Sequence, residues 1–109
     1  MHTHCGMIGK NLLDVALCLD LKRDDRLMWM SDIGWVAGSK VVVSAPLIGA
    51  TLVLAEGTPD FPDAGRQWRL VETHRVSYLG TVPTAVRQQM KQPLEHVLAH
   101  DLSSLRAVV

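Results

Sequence analysis

The sequence predicts an α/β fold: a partial parallel sheet of about four strands with alternating crossover helices. Three observations carry the prediction. Apolar runs of strand length alternate with segments of helical rhythm along the chain. The runs, such as "RLMWMS" and "ATLVLAEG", are continuously apolar, as strands buried on both faces are. The run "SKVVVSAPLIG" lacks a favoured hairpin turn before the next strand, so the connection reads as a crossover, usually helical.

The elements follow in order. In "GMIGKNLLDVALCLDL", Ile8, Leu12, Val15, Ala16 and Leu19 fall on one face of a helix. "KRDD" interrupts it with solvated charges, and residues 26–31 form the first strand. "DIGWVAG" is a tight loop with Gly34 and Gly38 on either side of Trp35. Residues 38–48 read as a kinked helix because Pro46 opposes an uninterrupted one. A strand over 51–55 leads into "EGTPDFPDAG", where Gly57, Pro59 and Pro62 set turns and Asp63 is a candidate N-cap. "AGRQWRLVETHR" is an amphipathic helix with Glu72 spaced to meet Arg69 or Arg75. "VSYLGT" is the third strand, "PTAVRQQM" a helix opened by Pro83, "LEHVLAHDL" a helical turn and "LRAVV" a fourth strand.

Length and composition narrow the function. At 109 residues, 48% hydrophobic and 20% charged, the chain has the make-up of one packed domain or part of one. Its 11 basic and 11 acidic side chains cancel, which removes the electrostatic footprint for nucleic acid or an anionic membrane. The 2 cysteines make no disulfide framework, and no apolar run approaches the ~20 residues that span a bilayer. With no basic and apolar leader at the start, the reading is a soluble, cytoplasmic protein. Both ends read as cut, since Val109 stops inside an apolar run and residues 1–6 have the character of a loop leaving something behind.

In an open parallel sheet, ligands bind beyond the carboxyl ends of the strands. The loops there are Asp32–Gly38, Glu56–Asp63 and Thr81–Thr84. Trp35 can wall an apolar slot or serve as an ordinary core aromatic; Asp32 can cap a helix, and Asp60 can stabilise a turn or accept hydrogen bonds from a ligand. His2, His4 and Cys5 are chemically able to hold zinc, yet no second His/Cys pair stands at suitable spacing, so no metal site is assigned. The chain has no phosphate-loop motif, no dinucleotide fingerprint and no nucleophile elbow. Taken alone, it has pocket walls and no catalytic residue.

Several blocks stand in order: D-x-G-W at "DIGW", the run "GATLVLAEGTPDFPD", "HRV" before a strand, and P-T-A-x-R at "PTAVR". Together they resemble the AMP-forming acyl-CoA synthetases of the adenylate-forming superfamily, in the acetyl-CoA synthetase-like branch, over essentially the whole chain. The resemblance implies that residues 1–109 are a fragment of one AMP-binding N-terminal domain, with no complete domain boundary inside the chain. It implies a reaction in which a carboxylic acid and ATP give an acyl-adenylate, from which CoA displaces AMP. ATP and CoA are then co-substrates and Mg²⁺ belongs to the full-length enzyme. The phosphate-binding loop is expected just before "HTHCG", and the adenine pocket, hinge and adenylation lysine beyond Val109. The remainder of the synthetase chain is thus the expected partner.

Carried over residue by residue, the resemblance places Trp35, Val36, Ala37 and Gly38 at the acyl pocket. It places Ala37, Asp60, Val82 and Pro83 along the CoA path. Ala37 stands where acetate-activating relatives often have a threonine, which removes a hydroxyl and leaves space for a longer acyl group. Asp60 stands where they often have an asparagine, and a carboxylate cannot donate as an amide does. Lys40 reads as a solvated helix residue, with pairing to an anionic substrate as the alternative. The fragment is expected to be inactive alone; the alternative is a stand-alone α/β binding or scaffold protein, or one piece of a split synthetase.

Overall fold

The computed structural model describes residues 3–109. The chain runs through α1 (His4–Leu13), a π-helical extension (Asp14–Cys18), β1 (Arg26–Trp29), α2 (Val36–Ile48) and β2 (Thr51–Val53). It continues through α3 (Arg66–His74), β3 (Tyr78–Gly80), α4 (Pro83–Gln89), α5 (Glu95–Leu98) and β4 (Ala107–Val108). The 4 strands form one sheet in the order β2-β1-β3-β4, and every pairing is parallel. The sequence-predicted α/β architecture is thus the observed one.

Alternation along the strands divides the core into two layers. Leu27 and Tyr78 face α1 and α2, where they join Val15, Leu21, Val41 and Ala45. Met28 and Leu79 face α3, where they meet Val71 and Val76 with Trp68 and Leu70 packed around them. The connection reverses direction after β2, and right-handed crossovers then place α2 and α3 on opposite faces of the sheet. No helix among the described residues is long and apolar enough to cross a membrane.

Local chemistry explains the helix ends and four departures from the sequence reading. Thr3 caps α1, its Oγ accepting from the Gly6 N–H at 3.1 Å. The helix begins at His4 and passes into π geometry at Asp14, with the Leu19 N–H bonded to the Asp14 carbonyl at 2.9 Å. Its buried stripe is Asn11 and Val15, while Ile8 and Leu12 are exposed. The single apolar face expected from helical spacing is therefore broken by the change of pitch. Helix α2 extends from Val36 instead of 38 and ends at Gly49, whose φ of 82° is left-handed. In "KRDD", Asp25 is only 6% exposed and is not a solvated charge. It accepts from the Lys22 N–H (2.7 Å), Ser77 Oγ (2.7 Å) and Arg106 Nη2 (2.6 Å), beneath the amino ends of the strands. Glu72 meets neither Arg69 nor Arg75. It binds His100 Nδ1 at 2.8 Å and the Asp101 N–H at 3.0 Å, while those arginines pair with Asp63 and Asp101.

Candidate functional site

Because β1 lies between β2 and β3 in a parallel sheet, the loops after the three strands leave the same edge side by side. The chain goes from β1 to β2 on one side and then returns past β1 to β3 on the other. The β1/β3 boundary is therefore the topological switch point, where such sheets open a ligand crevice.

The loop after β1 is a compact turn. Asp32 Oδ1 accepts from the Gly34 N–H at 2.6 Å, and the Asp32 carbonyl accepts from the Trp35 N–H at 3.0 Å. Asp32 thus shapes the turn, and the N-cap of α2 is Trp35, in extended geometry and without a side-chain cap bond. Trp35 is 66% exposed, so it is not a core aromatic. Val36 is exposed beside it, Ala37 is half-buried and Gly38 is buried. A Cβ on Gly38 would lie 2.1 Å from the Asp32 carbonyl oxygen, so glycine is what lets α2 start against this turn. The four residues carried to the acyl pocket occupy one helical start at the sheet edge.

The loop after β2 shares a cavity of about 410 Å³ with the first, lined among others by Ser31, Asp32, Ile33, Glu56 and Gly57. The Arg66 guanidinium donates to the carbonyls of Glu56 and Thr58 and ties this loop to the start of α3. Asp60 lies half-buried in the following turn, beside a cis Phe61–Pro62 bond. Asp63, the expected N-cap, is not the cap of α3. The cap is Gly65, directly before Arg66, and Asp63 shapes the turn ahead of it by accepting from the Gly65 N–H at 2.9 Å. Hydrogen bonding from Arg69 is the main cause that holds its carboxyl below the ordinary range.

The third loop is short. Val82 caps α4 in extended geometry and Pro83 takes the first helical position, where a missing N–H costs nothing. Val82 and Pro83 border a groove of about 370 Å³ with Thr81, Val86, Arg87 and Val109. Lys40 is neither solvated nor free for a substrate: its side chain is three-quarters buried and its ammonium lies 2.5 Å from Asp14. Hydrogen bonds from Lys10 and then Lys40 hold the Asp14 carboxyl low, and the bridge fastens α2 to α1.

One feature of the sheet edge escapes a reading of the sequence. Trp29 and Gly80 are paired in register at the last rung of β1 and β3. A Cβ on Gly80 would sit 2.0 Å from Trp29 Cδ2, so the indole lies over the glycine backbone. The available signal is a tryptophan and a glycine each closing a strand, but it requires the strand register to interpret.

Chemically, the edge offers an exposed indole, small aliphatic walls and close backbone approach: binding surfaces for an apolar group and its tether. Among the described residues no group of three or more His, Cys, Asp or Glu side chains is placed to hold a metal ion. The zinc alternative at the start of the chain includes His2, which lies outside the described residues.

Known proteins share this arrangement. The family profile described as AMP-binding enzyme matches residues 1–109. An acetyl-coenzyme A synthetase of Gemmatimonas aurantiaca is 41% identical over 109 residues, covering 99% of this chain and 17% of that protein. One from Methanothrix soehngenii is 51% identical over 88 residues, covering 80% of this chain and 13% of its own length. Acetoacetyl-CoA synthetase from Streptomyces lividans superposes with a TM-score of 0.86 at 32% identity, covering 94% of this chain and 16% of that one. The chain therefore spans about one-sixth or less of the length of these relatives. On the full-length profile match and these likenesses, the chain belongs to the AMP-binding enzyme family.

Proposed function

We propose that this chain is the acyl- and CoA-facing part of an AMP-forming acyl-CoA synthetase. In the reaction, a carboxylate oxygen attacks the α-phosphorus of ATP, giving acyl-adenylate and pyrophosphate. The CoA thiol then loses its proton and attacks the acyl carbonyl, and the C–O bond to AMP breaks. The role assigned to this chain is binding and orientation. Trp35, Val36, Ala37 and Gly38 wall the acyl group; Ala37, Asp60, Val82 and Pro83 border the path of CoA. The family resemblance assigns the ATP phosphates, Mg²⁺ and the adenylation lysine to the remainder of the synthetase, so no step is routed through these residues. ATP, CoA and the exposed free thiols of Cys5 and Cys18 suit a reducing cytoplasm.

The supporting observation is spatial. Three of the four sequence blocks that carry the resemblance lead into adjacent loops at the carboxyl edge of one parallel sheet, after β1, β2 and β3, while "HRV" precedes β3. Two measurements test the reading. Calorimetric titration of the chain with CoA is expected to show saturable binding that Ala37→Phe and Val82→Phe each weaken at least tenfold, because both fill the path. Binding unaffected by both, or no binding at all, overturns the CoA wall. Acid-dependent pyrophosphate release by the chain is expected to be nil, and turnover would overturn the assignment of adenylation to other segments.

A further inference from the structure

We propose that Arg66 is a positioning residue for CoA: its guanidinium clamps the loop after β2 and so fixes Asp60, whose carboxylate accepts a hydrogen bond from an amide N–H of the pantetheine arm. The inference rests on the assignment of Asp60 to the CoA path above and adds to it a residue that touches neither substrate.

Helix chemistry gives no reason for an arginine at the first residue of α3. The positive end of the helix dipole lies there, and no acidic side chain stands in the first turn to offset it. The loop supplies the reason. Gly57 takes a left-handed φ of 86°, and the carbonyls on either side of it, those of Glu56 and Thr58, both accept from the guanidinium. A Cβ on Gly57 would lie 3.7 Å from Arg66 Nη1, so the cation sits directly against the turn. A planar fork with several donors holds two carbonyls at once, where an ammonium on a flexible stem would hold them less rigidly.

The clamp brackets Asp60. Arg66 holds Thr58 through its side chain and, through its own N–H, the Asp63 carbonyl at 3.1 Å. Among the described residues, no hydrogen bond other than the two from the guanidinium ties the backbone from Glu56 to Pro62 to the rest of the fold. Asp60 is half-buried in that stretch, and among the described residues no hydrogen bond engages its carboxylate, which leaves it open to a donor. Glu56 and Gly57 also wall the cavity of about 410 Å³ shared with the loop after β1, so the clamp sets that wall as well. With Arg66 released, CoA must order the stretch itself, and that ordering weakens binding.

The test titrates CoA calorimetrically into the chain as wild type, Arg66→Met, Arg66→Lys, Arg69→Met, Asp60→Ala and the double variant of Arg66→Met with Asp60→Ala, each checked for folding by circular dichroism. Arg66→Met keeps the stem and removes the donors, and CoA is expected to bind at least about fivefold more weakly. Arg66→Lys returns a donor without the fork; it is expected to fall between the two and serves where the methionine variant fails to fold. Asp60→Ala removes the acceptor and is expected to weaken binding by a similar factor. In that background the Arg66→Met loss should shrink to within about twofold, because the residue it positions is gone, whereas a loss from a generally looser fold would persist. Arg69→Met removes the same charge from an exposed pair with Asp63 and is expected to stay within about twofold of wild type, which separates the clamp from general attraction of the CoA phosphates. Cleavage after Glu56 by a glutamyl endoprotease should quicken in Arg66→Met and not in Arg69→Met. Wild-type affinity in the folded Arg66 variants, a loss of equal size with and without Asp60, an equal loss in Arg69→Met, or unchanged cleavage overturns this inference and leaves the CoA wall standing. Failure of the wild type to bind CoA overturns both.

Discussion

The Asp25 cluster offers a quantitative test of what holds the amino edge of the sheet together. Its carboxylate takes three short hydrogen bonds: from the Lys22 N–H, from Ser77 Oγ and from Arg106 Nη2. These link the turn before β1, the start of β3 and the start of β4 at one point. Asp25→Asn keeps the shape but removes the charge, and it presents an amide NH₂ to at least one of those donors. Losing a hydrogen bond to a buried charged group costs about 1.5–3 kcal/mol. The Arg106 side chain is 41% exposed and regains water when freed, so its bond counts toward the low end. The total expected is about 2–3 kcal/mol, which lowers the melting temperature by about 10 °C or more in a chain of this size. Urea unfolding followed by far-UV circular dichroism measures it, with exposed Asp24→Asn as the control, expected within about 0.5 kcal/mol of wild type. Equal effects of the two substitutions, or an unchanged midpoint for Asp25→Asn, would refute the reasoning.

Three further outcomes follow from the same structure. Burial pushes the Asp25 carboxyl up, but the bonds from Arg106, Ser77 and Lys22 outweigh it and hold it below 3.8. A carboxyl lowered by folding stabilises fully above its unfolded value and loses that contribution as pH falls through the folded one. Stability should therefore decline below about pH 4, and Asp25→Asn should flatten that acid limb in a pH series of melts. Gly38→Ala forces a Cβ to within 2.1 Å of the Asp32 carbonyl and should cost about 1–3 kcal/mol by chemical denaturation, where an ordinary helical Gly→Ala stabilises. Acrylamide should quench Trp35, 66% exposed, far more than Trp29 or Trp68; Trp35→Phe is expected to remove most of the quenchable emission, and Trp29→Phe little of it.

The loops at the carboxyl edge of the sheet were legible because their signals are local. Glycines and prolines mark the loops wherever they fall, and the parallel order of strands fixes which edge those loops share. Departures occurred where a side chain's partner is distant in sequence. Lys40 resembles any exposed helix residue until α1 brings Asp14 to 2.5 Å. Asp25 sits in a run of charges, and its burial depends on Ser77 and Arg106, 52 and 81 residues away. Glu72 follows the spacing of helix ion pairs, yet the turn at His100 and Asp101 captures it. The apolar face of the first helix failed for a different reason: the π-helical turn changes the pitch on which the count relies.

By itself the sequence determined the alternation of strands and helices, the parallel sheet and the family blocks, because hydrophobic period and turn chemistry act over a few neighbouring residues. Only the tertiary structure decided the strand order β2-β1-β3-β4, the burial of Asp25 and the seating of Trp29 over Gly80. Those depend on register and on contacts between segments far apart along the chain, which no local pattern encodes.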